Sequence, residues 1–213
     1  MLGGVYWSET MNETIEVILK RRSIRLFTEE SVEEEKIRLL LEAGMAGPSA
    51  VNAQPWEFVV ITEKPILEKF RGALMFAKMA APLVICVLGS RRMQKSRVGD
   101  KFWVQDCSAA TENILLAATA LGLGSVWVGV HPIALFERQV KSILNLPTGV
   151  TPLNLIYIGY PAESKEARTQ YDEKRVHWGP FQGESGEKGD EEVSKRDEIN
   201  AKESNENDNA AVQ

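Results

Sequence analysis

The sequence predicts an α+β fold, a mixed sheet of four to five strands flanked by helices. Three observations predict it. Segments of helical period alternate with short apolar runs along the first three quarters of the chain. Four of those runs, Phe58–Ile61, Leu83–Leu88, Val126–Val130 and Leu153–Ile158, have the length and β-branched content of buried strands. The longest helical pattern, Phe102–Leu121, is rich in Ala and Ser, as a central helix approached closely by its neighbours would be.

Taken in order, Asn12 can cap a helix whose apolar face is Ile15, Ile18 and Leu19 and which ends in Lys20-Arg21-Arg22. Ser31 and Glu34 have the spacing of a capping box for a second helix, with a core face of Ile37, Leu40 and Leu41 and a stop near Gly44. A loop with Pro48 and Pro55 at its ends leads into the first strand. Pro65 then fits the first turn of a helix. Gly122 and Gly124 end the central helix. Ile133–Leu144 reads as a helix between the third and fourth strands.

Of 213 residues, 44% are hydrophobic, enough for one domain with a sizeable core. The net charge of −5 is unevenly spread. Residues 183–213 hold ten acidic and four basic side chains, so the remainder is close to neutral. That tail has no aromatic residue and few aliphatic ones, and is expected to be disordered. Residues 1–11 read as a loose leader, with Met11 available as an alternative start, and 12–182 as the folded domain. A near-neutral folded part lacks the basic face of a nucleic-acid binder. The leader has no basic start followed by an apolar stretch, so it is not a signal peptide. The apolar run around Leu83 is too short for a bilayer. A cytoplasmic protein is therefore expected by default. Cys86 and Cys107 read as buried small hydrophobes, since no Cys/His spacing suits a disulfide or a metal.

Four elements could carry chemistry. Arg21-Arg22-Ser23-Ile24-Arg25 leaves a helix as an extended segment, where alternate residues face one way. Two guanidinium forks and a hydroxyl suit a phosphate, although basic residues also suit a helix C-terminus without any ligand. Pro48, Ser49, Asn52, Gln54 and Pro55 form a loop offering a hydroxyl and two amides, suited to a ring edge that both donates and accepts, or to an ordinary polar turn. Trp127, Val128 and Gly129 end an apolar strand in a glycine, which admits a flat ligand or only a turn. Lys174 and Arg175 form a basic pair beyond the last strand, and surface charge is their simpler reading. The sequence has no P-loop and no nucleophile elbow. Gly122-Leu123-Gly124 fails the dinucleotide fingerprint, because Trp127 stands at its third glycine. With two histidines, His131 and His177, a metal centre has little to work with.

Together, in this order and spacing, the four elements resemble the nitroreductase family of FMN-dependent oxidoreductases over about residues 12–181. The pairing of R-R-S-I-R with P-S-A-V-N-A-Q-P-W is the most specific part. The resemblance implies a nitroreductase-like fold and a homodimer with shared active sites. It implies FMN as cofactor and NAD(P)H as co-substrate. Arg21 and Ser23 would serve the phosphate and ribityl chain, Arg22 would count among the cofactor-binding residues, and Arg25 would sit at the pyrimidine edge, where charge collects on reduction. Pro48, Ser49, Asn52 and Gln54 would reach the partner's flavin. Trp127, Val128 and Gly129 would bring a backbone N–H to N5, and Lys174 and Arg175 would close on the phosphate. Hydride would pass from NAD(P)H through N5 to an electron-poor small molecule such as a nitro compound or quinone, in ping-pong order. No acid, base or nucleophile side chain is required. Segments 70–79 and 94–103 would shape the acceptor pocket. Reductive dehalogenation, flavin fragmentation, a non-enzymatic flavin carrier and a plain interaction module stay open as alternatives.

Overall fold

A computed structural model describes residues 12–90 and 99–181. The leader, the acidic tail and the first half of the segment expected at 94–103 lie outside the described residues. The chain divides into two units, Met1–Thr169 and Gln170–Gln213. In the first, the order is α1 (Glu13–Lys20), α2 (Glu34–Met45), β1 (Trp56–Ile61), α3 (Lys64–Ala73), β2 (Leu83–Ser90), α4 (Trp103–Ala120), β3 (Gly124–Gly129), α5 (Ala134–Leu144) and β4 (Val150–Gly159). The described part of the second unit holds one 3-10 turn, Glu173–Arg175.

The sheet has four strands in the order β1-β2-β4-β3, every pair antiparallel. Among the described residues the one parallel contact is a bridge between Ser23 and Ser125, outside the β3 edge. The expected α+β fold is therefore present with four strands. Both central strands are buried on both faces, and alternation sends their residues two ways. Val84, Cys86, Leu155 and Tyr157 face a layer with Leu67 and Phe70 of α3 and Phe136 and Val140 of α5. Leu83, Ile85, Ile156 and Ile158 face Leu40 of α2 and Cys107, Ala110 and Ile114 of α4. The two cysteines are free and buried. Burial pushes both thiols up, Cys107 to about 12 with the neighbouring Asp106 contributing.

Local chemistry explains most element ends. Asn12 caps α1 by accepting from the Ile15 N–H at 3.1 Å. Gly122, at φ +74°, closes α4 in a Schellman motif, with Leu123 N–H donating to the Ala118 carbonyl at 2.8 Å. Pro65 lies in the first turn of α3.

Two expectations need correction. The capping box at Ser31 is not formed, because α2 starts at Glu34 with Glu33 as its uncapped N-cap. Val32 is drawn into the core and Glu33 stays extended, its carboxylate taken by the Tyr160 hydroxyl at 2.8 Å and by Lys36 at 3.3 Å. The first strand begins at Trp56 and is a half-buried edge, with only Trp56 and Ile61 buried. The apolar stripe of α1 is left partly open by the described residues, since no α1 residue is buried and Ile15 and Ile18 are 42% and 46% exposed. Val17 and Ile18 line a groove of about 480 Å³ with Ala43, Ala46, Leu116, Ala117 and Ala120.

Candidate functional site

The Arg21–Arg25 segment is held along the outer edge of β3. Arg21 leaves the helix at φ −57°, ψ 121°, while its N–H still bonds Val17. Ser23 then bridges Ser125, and the Ile24 N–H donates to the Ser125 carbonyl at 3.0 Å. Ile24 is buried, Ser23 half-buried and Arg25 exposed, as an extended alternation requires. The close approach depends on Gly124, where a Cβ would lie 2.7 Å from Ile24 Cγ2.

A strap after β4 fastens this segment. Glu163 accepts from the Arg25 N–H at 2.5 Å and the Leu26 N–H at 3.2 Å. Lys165 Nζ sits 3.1 Å from Glu163 and donates to the Ser23 carbonyl at 2.6 Å. The Arg22 guanidinium donates to the Glu166 carbonyl. Arg21 Nε lies 3.5 Å from Glu112 Oε1 on α4. The hydrogen bond from the Arg25 backbone, followed by Lys165 and the Leu26 backbone, holds the Glu163 carboxyl below its usual range. The edge thus carries Arg21, Ser23, Arg25 and Lys165, with Arg22 tied to the strap. Lys165 and Glu163 were not read from the sequence. Their signal was an acid and a base just past the last strand, which resembles any charged loop.

The loop after α2 is built on left-handed backbone. Val51, Asn52 and Gln54 have φ of 49°, 52° and 47°. Ser49 Oγ accepts from the Gln54 N–H at 3.0 Å, and the Asn52 N–H donates to the Ser49 carbonyl at 3.1 Å. Asp106 Oδ1 accepts from the Ala50 N–H at 2.9 Å. Pro55 and Ala53 are buried anchors, while Pro48, Asn52 and Gln54 are exposed and Ser49 is half-buried. The loop offers its amides outward from a fixed frame.

At the far end of β3, Trp127 is half-buried and Val128 buried on the opposite face. Gly129 is exposed, and a Cβ built on it would meet nothing within 4 Å. Open space therefore lies beside a backbone end, on the same strand that carries the arginine segment. The loop is elsewhere. It leads into β1, and β1 and β3 are opposite edges of the sheet. Three strand spacings separate them, about 14 Å at roughly 4.8 Å each. Within one chain the arginine segment and Gly129 lie along the same strand, about 13 Å from Ser125 to Gly129 at roughly 3.3 Å per residue, and the Ser49–Gln54 loop belongs to the opposite edge. Lys174 and Arg175 are exposed on the 3-10 turn of the second unit, where Arg175 Nε lies 3.4 Å from Asp172. Among the described residues no group of three His, Cys, Asp or Glu could hold a metal.

The sequence profile of the nitroreductase family matches residues 18–77 and 70–160. A protein of Methanothermobacter thermautotrophicus that carries the double name NADH dehydrogenase/NAD(P)H nitroreductase is 41% identical over 167 residues, 78% of this chain and 86% of its own length. A structure under the same double name from Bacteroides thetaiotaomicron superposes with a TM-score of 0.76 at 38% identity, covering 81% of this chain and all of the other. A nitroreductase structure from Desulfovibrio desulfuricans, solved in complex with FMN, gives 0.68 at 32% identity over 81% of this chain and all of the other. The chain belongs to the nitroreductase family.

Proposed function

We propose that this chain is an NAD(P)H-dependent oxidoreductase that uses FMN, held between two copies of the chain. The observation that carries the reading is the arginine segment fastened to β3, with a cation-lined edge at one end and the open space beside Gly129 at the other. The residues fit the group. Arg21, Arg22 and Ser23 supply guanidinium and hydroxyl donors for a phosphate, and Lys165 adds a further cation. Arg25 offers a fixed positive charge for the pyrimidine edge, where it favours the reduced state. Gly129 lets the backbone approach a flat ring. Bound there, FMN supplies two-electron transfer from NAD(P)H to an electron-poor acceptor such as a nitro compound or a quinone.

The separation of the Ser49–Gln54 loop from β3 within one chain supports a shared site, in which that loop serves the partner's flavin. The uncovered groove along α1, α2 and α4 supports a second copy as its cover. No described helix is long and apolar enough to cross a membrane. The reading is tested by the visible spectrum of the purified protein and chromatography of the heat-released chromophore. One FMN per subunit is expected. Release of FAD, or no flavin after reconstitution with FMN, overturns it.

A further inference from the structure

Asp106 is out of place in the core. It sits in the first turn of α4, 5% exposed, beside the buried Cys107 and Ala110. Its Oδ1 accepts one hydrogen bond, from the Ala50 N–H at 2.9 Å. Its Oδ2 is buried with no hydrogen-bond partner among the described residues. A buried carboxyl with half its acceptor capacity unused costs stability, so packing does not account for it. The surrounding layer of small and apolar side chains would take Ala at this position at least as well.

The one bond that the Asp106 side chain makes among the described residues lands on a particular place. Ala50 is the first residue of the turn that carries Val51, Asn52 and, after Ala53, Gln54, three non-glycine residues at positive φ. Such conformations persist only where surrounding contacts over-determine them. The far end of the loop is fixed from within, by Ser49 Oγ on the Gln54 N–H. The near end is fixed from outside, by Asp106. We infer that Asp106 is a positioning residue, a tie from α4 that keeps the Ser49–Gln54 loop in the shape in which its hydroxyl and amides meet the flavin. The inference rests on the reading of that loop as part of a flavin site.

Three variants test the tie. Asp106→Ala removes the acceptor. Asp106→Asn keeps an acceptor oxygen and removes the acid. Ala50→Pro removes the donor and leaves Asp106 in place. Ser49 is already extended at φ −142°, ψ 149°, as a residue before proline must be, and proline suits the position before a left-handed residue in a tight turn, here Val51 at φ 49°. In the FMN-free protein, amide exchange in residues 51–54 should rise at least tenfold in Asp106→Ala, with α4 and the sheet as in wild type, and return to wild type in Asp106→Asn. FMN titration followed by flavin fluorescence should show about tenfold weaker binding in Asp106→Ala and in Ala50→Pro, the size expected for one hydrogen bond to a carboxyl. The double variant should lose no more than either single, because both break the same bond. Unchanged loop exchange in Asp106→Ala overturns the tie, and so do losses of FMN affinity that add in the double variant. A wild-type protein that binds no FMN overturns the flavin reading instead, and the exchange comparison then decides the tie by itself.

Discussion

Two glycines of β3 do different work, and alanine at each separates them. At Gly124 a Cβ would press on Ile24 at 2.7 Å, both being fixed by the core. Gly124→Ala should cost about 1–3 kcal/mol, as overpacking does, read from urea denaturation. At Gly129 a Cβ meets nothing, so Gly129→Ala should leave flavin-free stability within about 0.5 kcal/mol. It should still weaken FMN binding about tenfold, if the ring lies where the open space is. Wild-type affinity in Gly129→Ala would remove that space from the site. Glu163 gives a pH prediction. Its carboxyl is held below the usual 4.5, first by the Arg25 N–H. A depressed acid contributes its stabilisation fully above that usual value and loses it as pH falls through the lower folded-state value. FMN affinity of the wild type should therefore drop below pH 4.5. Glu163→Gln should bind less tightly at neutral pH and show a shallower acid loss, in parallel titrations that share the cofactor's own ionisation. Of the proposed site, the arginines, the loop amides and Gly129 could be nominated from the sequence because their types and order are distinctive. Glu163, Lys165 and Asp106 were not, because each acts on another residue's backbone, and a backbone partner leaves no trace in sequence.

At the scale of elements, period and punctuation located all four strands and the five helices, and the ends moved where tertiary contacts outweighed local signals. The S-x-x-E at Ser31 is a sound helix start locally, yet burial of Val32 shifts the start two residues on. The first strand was read as buried because Phe58–Ile61 is apolar, but an edge position leaves Val60 37% exposed. Composition cannot distinguish an edge from a centre when the neighbours are unknown. The loop after α2 shows the same limit. Asn52 hinted at a left-handed corner, whereas nothing predicted that Val51 beside it would share the conformation. A β-branched residue there is strained, and Val51 is 67% exposed, so little packing is lost by replacing it. Val51→Asn should stabilise the protein by about 1 kcal/mol, the difference in left-handed cost between the two residue types, seen as a higher urea midpoint. FMN affinity should stay within about twofold, since the loop keeps its shape. A lower midpoint would show that Val51 is held by contacts worth more than its strain.

At the scale of the molecule, the sheet order sets the main constraint. Arg25 lies outside β3 and Asn52 precedes β1, so one chain offers the two residues at opposite edges of a four-stranded sheet. Periodicity could not show this, because it assigns strands without ordering them. It also could not show that α1 would leave Ile18 open over the small residues Ala43, Ala117 and Ala120, a face that a second copy can cover. A mixed dimer tests whether the sites are shared. Arg25→Ala removes the cation at the pyrimidine edge. Asn52→Asp puts a carboxylate where the reduced ring gains charge, and Asp tolerates the left-handed backbone at φ 52°. Each homodimer should reduce a quinone or nitro compound poorly with NAD(P)H. Mixed dimers, isolated through two different affinity tags, place both lesions on one flavin and leave the other site whole if the loop serves the partner. Activity per mixed dimer should then return to about half that of wild type, by site counting under two-fold symmetry. If both residues serve the flavin of their own chain, each site keeps one lesion and activity stays at the level of the homodimeric variants. That result would refute the shared site while leaving the FMN assignment intact, because FMN content is measured separately in the same preparations.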